Sequence, residues 1–276
     1  MTAIIIPAHN EEHGIARLLQ ALELSELSAE VVVVANGCTD RTAEIARAHG
    51  AVVLETPVPS KIKALALGDG AVSSYPRLYV DGDVVLGASD VMALCAALET
   101  PGIHAVGPTR VFPMTGVARS VRMYYRIWQQ LDAVREELYG RGVIAVDAVG
   151  HARISDWGEH MSDDLHIGLS FAPHERRVVP EASVTIWPPK TYADLLHRRT
   201  RAMHGNRAVR AQADPAALRR PTGSAGSLLR IAVADPHSLP ALALFVATAV
   251  VAKARGRLDA ALGRTHWLRD ESSRAH

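Results

Sequence analysis

The first hundred residues alternate between short apolar runs and longer amphipathic stretches. The apolar runs occupy residues 3–8, 30–36, 51–56 and 77–83. Uninterrupted apolar runs of this length are typical of strands that are buried on both faces of a sheet. The stretches between them carry apolar positions at helical spacing, over 11–24, 40–50, 60–72 and 89–99. Strands that alternate with helices predict parallel βαβ units, so the predicted fold class is α/β.

The pattern is less regular beyond residue 100. It predicts strands over 103–112, 144–155 and 176–189 and helices over 116–139 and 191–210. Residues 213–227 have the Pro, Gly and Ser content of a linker or loop. We therefore expect one domain over residues 1–210, built from the halves 1–100 and 101–210. A loop and a C-terminal helical extension would follow over 211–276.

Composition narrows the class of protein. The chain has 276 residues, of which 48% are hydrophobic and 21% charged, as expected of a globular protein with a sizeable core. A net charge of +1 does not favour a nucleic-acid partner. Cys38 and Cys95 form no CxxC motif, so we expect neither a disulfide framework nor a zinc site, and a cytoplasmic location. The N-terminal apolar run is too short for a signal peptide.

The longest apolar stretch lies near the C-terminus, at residues 239–252. Its 14 residues fall short of the roughly 20 that a membrane-spanning helix needs. The basic residues Lys253, Arg255 and Arg257 follow directly. We expect either a buried helix or a peripheral contact of residues 239–257 with the inner face of the cell membrane, with the three cations near anionic head groups.

Polar side chains follow three of the predicted strands, where a parallel α/β sheet binds its ligands. These residues are Pro7, Ala8, His9, Asn10 and Glu11 after the first strand, Asn36 after the second, and Asp81 and Asp83 after the fourth. The first strand is not followed by GxGxxG, and the chain has no GxxxxGK[ST], which argues against dinucleotide and P-loop sites. Two neighbouring carboxylates suit Mg²⁺ or Mn²⁺, which prefer hard oxygen ligands.

Four blocks of the sequence resemble glycosyltransferase family 2, whose members are inverting enzymes that use nucleotide sugars. The blocks are "IIIPAHNEEHGIARLLQAL", "VVVVANGCTDRTAEIA", "KALALGDG" and "YVDGD". Their order and spacing match through about residue 90, and later blocks match more loosely, to about residue 206. The resemblance implies the GT-A fold, a mostly parallel, Rossmann-like sheet flanked by helices. Residues 1–100 would then be the nucleotide-binding half and 101–210 the acceptor half.

The resemblance also implies how the donor is bound. The loop that contains His9 and Asn10 would wrap the nucleotide, with the backbone of Pro7 and Ala8 near the base and Glu11 toward the ribose or base. Glu11 also suits the acidic first turn of a helix. Ala35 and Asn36 replace an acidic pair that contacts the base in the family, and the Asn36 amide can still hydrogen-bond a base edge. Lys63 matches a lysine near the nucleotide, or is a solvated helix residue. Asp40 matches a downstream acid for which we favour a helix-capping role.

Further positions carry the implied chemistry. Asp83 would bind Mg²⁺ or Mn²⁺, and Asp81 would face the ribose or sugar. Asp163 and Asp164 stand where the family has its "ED" pair, with Asp164 as the base that deprotonates the acceptor. The alternative for this pair is helix capping. The other acids that could serve as the base are Asp156, Glu159 and Asp147.

A last block, "RRTRAMHGN", stands where processive family members have "QxxRW". Arg201 keeps the arginine, whereas Arg198 and Ala202 replace the glutamine and the tryptophan. This departure favours non-processive transfer. Arg201 would clamp diphosphate oxygens, or belong to a solvated basic helix.

The sequence therefore predicts a metal-dependent inverting hexosyltransferase. Its donor would be a nucleoside-diphosphate sugar, by default a UDP-sugar, and its acceptor an unidentified hydroxyl compound. Two alternatives stay open. One is a polyprenyl-phosphate glycosyltransferase, whose anionic acceptor needs no base. The other is a degenerate, non-catalytic protein that binds nucleotide sugars, which the residues at positions 35, 36 and 202 favour.

Overall fold

A single mixed sheet organises the described part of the chain. The computed structural model describes residues 1–25, 27–155, 167, 170–212 and 225–261, without the side chains of 204–212, 225 and 259–261. Within them the sheet has seven strands in the order β3-β2-β1-β4-β6-β5-β7. The strands are β1 Thr2–Ala8, β2 Ala29–Asn36, β3 Val52–Thr56, β4 Arg77–Val80, β5 Ala105–Val111, β6 Val143–Val146 and β7 Arg176–Thr185. β1 to β4 pair in parallel, β5 pairs in parallel with β7, and β6 alone is reversed.

Helices flank the sheet and build a second compact unit. They are α1 Glu12–Leu22, α2 Thr42–Ala48, α3 Lys61–Gly70, α4 Ala88–Leu98, α5 Arg119–Trp128, α6 Asp132–Glu136, α7 Ala148–Ile154, α8 Tyr192–Gln212, α9 Ala225–Ala234 and α10 Leu239–Ala261. The first unit comprises Met1–Phe112 and Leu138–Ile186, and so contains the whole sheet. The second unit comprises Pro113–Glu137 and Trp187–Ala275, and its described elements are helical.

The first unit has a core on each face of the sheet. Ile4 and Ile6 of β1 belong to the cluster that also contains apolar side chains of α1 and α4. Ala3 and Ile5 alternate with them and belong to the opposite cluster, with apolar side chains of α3 and α7. Because both faces are covered, β1 reads as a continuous apolar run, as predicted. The predicted α/β fold with a mostly parallel sheet is confirmed.

Two predicted elements of the middle region are wrong. The helix expected over 116–139 is interrupted between α5 and α6, because Leu131 is extended (φ −68°, ψ 132°) and buries its side chain with Ile127 and Val134. The strand expected over 144–155 ends at Val146. Asp147 then accepts a hydrogen bond from the Gly150 backbone N–H at 2.6 Å, which caps α7.

The C-terminal apolar segment is longer than its sequence pattern indicates. α10 has 23 residues, because the helix continues from the apolar run through Lys253, Arg255 and Arg257. By length and composition alone, Pro236–Leu258 could cross a membrane, although 28% of it is buried within the structure. Helices in the core of soluble proteins pass the same test.

Candidate functional site

The "DGD" turn follows β4 at the C-terminal edge of the parallel strands. The Asp81 backbone N–H donates to the Gly142 carbonyl oxygen at 2.8 Å, which ties the turn to the chain entering β6. Gly142 has a φ of +65°, and a Cβ on it would lie 2.6 Å from Cγ1 of Val84. A side chain at position 142 would therefore both strain the backbone and displace the turn.

The turn packs against the loop after β1 and the start of α1. A Cβ on Gly82 would lie 3.5 Å from the Ala8 Cβ and 3.4 Å from the Glu11 Cγ. A Cβ on Gly14, in the first turn of α1, would lie only 2.7 Å from the Gly82 carbonyl oxygen. Glycine at position 14 thus permits the close approach that brings Glu11 and Asp83 to the same edge of the sheet.

The loops after β1 and β2 are held together by Asn10. Its φ is +51°, in the left-handed region that asparagine tolerates better than most residues. Its amide nitrogen donates to the Thr39 hydroxyl at 3.2 Å, and its amide oxygen accepts from the Thr39 backbone N–H at 2.8 Å. Cys38 adds a bond from its thiol to the Ala8 carbonyl oxygen at 3.4 Å. Burial raises the pKa of the Cys38 thiol, so it stays protonated and can donate.

Asp40 joins the starts of α1 and α2. One carboxylate oxygen accepts from the Glu12 backbone N–H at 3.1 Å, and the other accepts from the backbone N–H and hydroxyl of Thr42, at 3.1 and 2.5 Å. Burial alone would raise the pKa of Asp40, but the bonds from Thr42 and Glu12 hold it below its usual value. The predicted structural role of Asp40 at a helix start is confirmed.

Asn36 is buried at the end of β2, with 3% of its surface exposed. Its amide nitrogen donates to the Ala8 carbonyl oxygen at 2.8 Å. Its own carbonyl oxygen lies 2.5 Å from Nδ1 of His9, which must carry the hydrogen because a carbonyl only accepts. The amide nitrogen is therefore engaged by the protein, through the carbonyl oxygens of Ala8 at 2.8 Å and Val34 at 3.5 Å.

A lysine that the sequence interpretation missed faces the acid pair. Nζ of Lys61 lies 2.6 Å from Oδ1 of Asp81, and about a third of each side chain is exposed, at 36% and 31%. Lys63, the predicted residue, is exposed on α3. Two residues correspond to about 200° around a helix, so Lys63 lies on nearly the opposite side from Lys61. The structure therefore brings Lys61, not Lys63, to the turn. The helix start at Ser60, whose hydroxyl accepts from the Lys63 N–H, could have suggested this phase.

A small pocket opens beside Asp81. Its walls are Pro7, Lys61, Leu65, Tyr79, Val80, Asp81, Gly142, Ile144 and Ile167. Ile167 is buried and stands three residues after Asp164 in the sequence. The predicted base Asp164 and its neighbour Asp163 lie outside the described residues, as do the alternatives Asp156 and Glu159.

Asp147, the remaining alternative base, is at the wrong edge of the sheet. β6 is antiparallel to β4, and Val146 pairs with Arg77 at the start of β4. Asp81 follows four residues later, so about 13 Å of strand separates the two edges. The carboxylate of Asp147 caps α7 and lies 2.8 Å from Nδ1 of His104. A structural role explains these contacts, and the prediction of Asp147 as a base is wrong.

The predicted donor residues of the first unit meet at one edge. They are Pro7, Ala8, His9, Asn10, Glu11, Asn36, Asp81 and Asp83. Their roles toward a ligand stay predictions. Arg201 lies on α8 in the second unit and has an exposed side chain. The described residues contain no group of three or more His, Cys, Asp or Glu suited to a metal. Two carboxylates nevertheless fit a divalent site that phosphate oxygens complete.

A second charged cluster lies at the opposite edge, where β4 begins. Asp69 accepts from Nη1 of Arg77 at 2.6 Å, from the Tyr79 hydroxyl at 2.7 Å and from Nε2 of His151 at 2.7 Å. The Tyr75 hydroxyl extends this hydrogen-bond network and lies 2.9 Å from Nδ1 of His151. Burial alone would raise the pKa of Asp69, but these bonds hold it below its usual value. Burial also raises the pKa of Tyr79, which stays a neutral donor.

Comparisons with known proteins agree with this arrangement. The sequence model described as glycosyl transferase family 2 matches residues 3–154, more than half of the chain. The 4,4'-diaponeurosporenoate glycosyltransferase of Staphylococcus aureus strain USA300 is 44% identical over 52 residues, which are 19% of this chain and 14% of that protein. The chain thus matches only a small part of the length of this curated relative.

Solved structures share the fold. Glucosyl-3-phosphoglycerate synthase from Mycobacterium tuberculosis, in complex with Mn²⁺, UDP-glucose and phosphoglyceric acid, is 19% identical with a TM-score of 0.56, covering 76% of this chain and 79% of that one. A mannosyltransferase from Pyrobaculum calidifontis, in complex with GDP-Man and Mn²⁺, is 20% identical with a TM-score of 0.58. The match covers 99% of this chain and 83% of that one. At this identity the likeness concerns the fold, which is that of GT-A glycosyltransferases.

Proposed function

Because the chain belongs to glycosyl transferase family 2, we propose that it is a metal-dependent inverting glycosyltransferase that moves a hexosyl group from a nucleoside-diphosphate sugar to an acceptor hydroxyl, non-processively. One observation carries the proposal. Asp81 and Asp83 follow β4 at the ligand-binding edge of the parallel strands, beside Glu11, Asn36 and Lys61. Acid, amide and ammonium groups together suit a ligand with a base, a ribose and a diphosphate.

Asn36 favours particular bases in the donor. Its amide nitrogen is engaged by Ala8, so Oδ1 would meet the base as a hydrogen-bond acceptor. Uracil and guanine each present a ring N–H at their pairing edge, whereas cytosine and adenine present a ring acceptor there and donate only through their exocyclic amino groups. A UDP- or GDP-sugar therefore fits best, with UDP as the first choice. The similar solved structures contain UDP-glucose and GDP-Man, which agrees with this pair.

Asp81 and Lys61 would position the rest of the donor. About a third of each side chain of this ion pair is exposed, so an incoming diphosphate can compete for the ammonium group. Lys61 would then neutralise a phosphate oxygen, while Asp81 turns to the ribose or sugar. Arg201 as a further phosphate contact stays a prediction.

Asp83 would hold the divalent ion, for which Mg²⁺ and Mn²⁺ both fit. Carboxylate oxygens on a tight turn, completed by phosphate oxygens, are the usual environment of such ions. When bound, the ion would stabilise the negative charge that builds on the departing nucleoside diphosphate. The Mn²⁺ complexes of the similar structures support a divalent cofactor.

Asp164 would act as the base. The acceptor oxygen bonds to the anomeric carbon as the bond from that carbon to the phosphate oxygen breaks, so the configuration inverts, and the acceptor proton passes to Asp164. Support comes from Ile167, which follows Asp164 by three residues and lines the pocket beside Asp81 and Lys61. Asp163 would accompany Asp164 as its acidic neighbour.

A nucleotide screen tests the donor site. Thermal unfolding would be followed with UDP, GDP, CDP and ADP, each with Mn²⁺. At a hundred times Kd, a ligand adds about 2.7 kcal/mol to the free energy of unfolding and raises Tm by roughly 5–10 °C. We expect this shift with UDP or GDP and a much smaller one with CDP and ADP. No shift with any of the four would contradict the proposal.

The variant Asp164→Asn tests the catalytic class. In transfer to a hydroxyl, loss of the base should reduce turnover by a factor of about 100 to 10,000, while the affinity for the nucleotide is kept. A polyprenyl phosphate is already anionic, so full activity of Asp164→Asn would favour that acceptor. Donor binding without turnover by the wild type, on any acceptor tried, would favour the degenerate binding protein.

We also propose a cytoplasmic location with contact to the inner face of the cell membrane. The two cysteines, Cys38 and Cys95, are both free, which suits a reducing compartment. Fractionation of cells that produce the tagged protein, with and without high salt, would test it. A secreted, disulfide-linked product would contradict it.

A further inference from the structure

α10 presents an apolar face that the second unit does not cover. Among its described side chains, Leu239, Val246 and Val250 are exposed, at 54%, 45% and 60%. At 100° per residue these positions fall within about 40° of one another, so they form one stripe. α9 adds the exposed side chains of Leu229 and Val233. Exposed apolar residues that line up along a helix mark an interaction site more often than singly scattered ones do.

The other side of α10 is packed within the second unit. Ala241 and Leu242 belong to an apolar cluster with Ile127 of α5, and Phe245 stacks on Tyr124 with ring centroids 5.0 Å apart. These contacts hold α10 against the remainder of its unit. A helix that crossed a bilayer would lose them, so the packing favours a helix that lies along a surface.

The same packing continues toward the C-terminal half of α10. Thr248 and Ala252 are fully buried, and the Thr248 hydroxyl lies 3.0 Å from that of Tyr192. A polar contact of this kind, on the covered side only, gives α10 two different faces. The helix is therefore apolar on both sides, with one side packed within its unit and the other exposed.

Charge selects the kind of partner. The exposed cations Lys253, Arg255 and Arg257 follow the apolar stripe on the same helix. The one acid among the described side chains of residues 226–258, Asp235, already pairs with Arg126 at 2.8 Å. A second copy of this chain would bring the same excess of cations and no described acid from this surface to receive them. An anionic lipid surface offers both apolar depth and negative charge.

We propose that the exposed face of α9 and α10 is a peripheral docking surface for an anionic bilayer. Leu239, Val246 and Val250 enter the boundary between head groups and acyl chains, and Lys253 and Arg257 contact the lipid phosphates. The helix lies parallel to the membrane plane and does not cross it. This docking specifies the membrane contact proposed above. It is independent of the proposed sugar transfer, since it involves none of the residues assigned to the donor.

Vesicle sedimentation tests the surface. The full chain would be mixed with two kinds of vesicle, one of phosphatidylcholine alone and one that also contains about a third phosphatidylglycerol. The second has the anionic surface that attracts basic segments. We expect at least about fivefold more bound protein with the anionic vesicles, and loss of most of it at about 1 M salt, where the Debye length falls to about 3 Å.

A matched pair of variants distinguishes binding through this surface from nonspecific adsorption to vesicles. Val250→Glu places a charge on the stripe, and Met92→Glu places one at an equally exposed apolar residue of α4 in the first unit, since each side chain is 60% exposed. Val250→Glu should reduce binding to anionic vesicles at least about fivefold, and Met92→Glu should leave it unchanged, with Tm unaltered in both. A Lys253→Gln, Arg257→Gln variant should reduce both the binding and its salt dependence.

Four results would overturn the proposal. One is equal sedimentation with neutral and anionic vesicles, and another is unchanged binding by Val250→Glu. The third is a dimer in sedimentation velocity that Val250→Glu dissociates, because the face would then be covered by a second copy of the chain. The fourth is membrane-bound protein that neither high salt nor carbonate releases from the vesicles, which would indicate a spanning helix. A helix that lies on the surface should be released by either treatment.

Discussion

The two ends of β4 carry charged residues with opposite properties. At its start, Asp69 and Arg77 pair with only 10% and 7% of their side chains exposed. After its end, Asp81 and Lys61 pair with 31% and 36% exposed. The first pair is surrounded by further hydrogen-bond partners, and the second opens into a pocket. An acid–base pair thus stabilises the fold at one edge, and another is accessible from the pocket at the other.

The contrast teaches that burial and the number of partners distinguish the structural charges of this protein from those proposed to bind the donor. A buried pair that loses one member leaves an uncompensated charge, which costs several kcal/mol. An exposed pair contributes at most about 1 kcal/mol and can exchange partners. Substitutions at the two edges should therefore separate stability from activity.

The largest effect is expected from Asp83→Ala. Removing the proposed metal ligand should reduce turnover of a nucleotide sugar by about a thousandfold or more, equivalent to roughly 4 kcal/mol of transition-state stabilisation. Tm should change by no more than about 2 °C, since the site lies at the open edge. Steady-state kinetics and thermal unfolding measure the two quantities. An Asp83→Ala protein with a much lower Tm but wild-type specific activity would show that Asp83 serves stability and not turnover.

Asp69→Asn should show the opposite behaviour. The variant loses the charge that compensates Arg77, so we expect a loss of about 3 kcal/mol in the free energy of unfolding. The specific activity of the folded fraction should be kept, because the donor edge lies about 13 Å away along β4. Urea unfolding and activity assays on the same preparation test this. Unchanged stability would mean that the buried network is not needed.

Lys61→Ala and Lys63→Ala sharpen the comparison within one helix. Losing an ammonium group from the diphosphate should raise KM for the donor about tenfold, or roughly 1.4 kcal/mol, in Lys61→Ala. Lys63→Ala is the matched control, and its KM should stay within about twofold of the wild type. A larger rise in KM for Lys63→Ala than for Lys61→Ala would instead support Lys63, the residue that the family resemblance implied.

The smallest effect concerns pH. The folded pKa of Asp69 lies below its ordinary value, so its charged form stabilises the fold above pH of about 4, and this contribution is lost as pH falls through the folded pKa. The difference in Tm between wild type and Asp69→Asn should be full at pH 7 and shrink toward pH 3. A difference that is constant over this range would show that the charge of Asp69 does not contribute.

Most of the donor edge could be predicted from the sequence, because residues that follow parallel strands meet at one edge whatever the loops do. Asn10, Asn36 and Asp83 were placed in this way. The resemblance indicated Lys63, whereas Lys61 is the side chain at the turn after β4, because the start of α3 at Ser60 sets which lysine faces it.

The middle of the chain was harder for a different reason. The short strand β6 and α7 lie within one apolar pattern, and the change between them depends on a single cap at Asp147. The interruption at Leu131 accompanies its burial in an apolar cluster that contains the sequence-distant Ile231 and Leu242, a tertiary environment with no periodic signal. The exposed stripe on α10 also requires knowledge of which side packs, since the helix is apolar on both.

Calorimetric titration with UDP or GDP, in Mn²⁺ and again after its removal with EDTA, tests the central claim most directly. We predict that the wild type binds at least one of the two in Mn²⁺, with an affinity that falls about tenfold or more in EDTA. In Asp83→Ala the affinity should be weak and independent of the metal. Equal affinity with and without Mn²⁺ in the wild type, or unchanged metal-dependent binding by Asp83→Ala, would contradict the account.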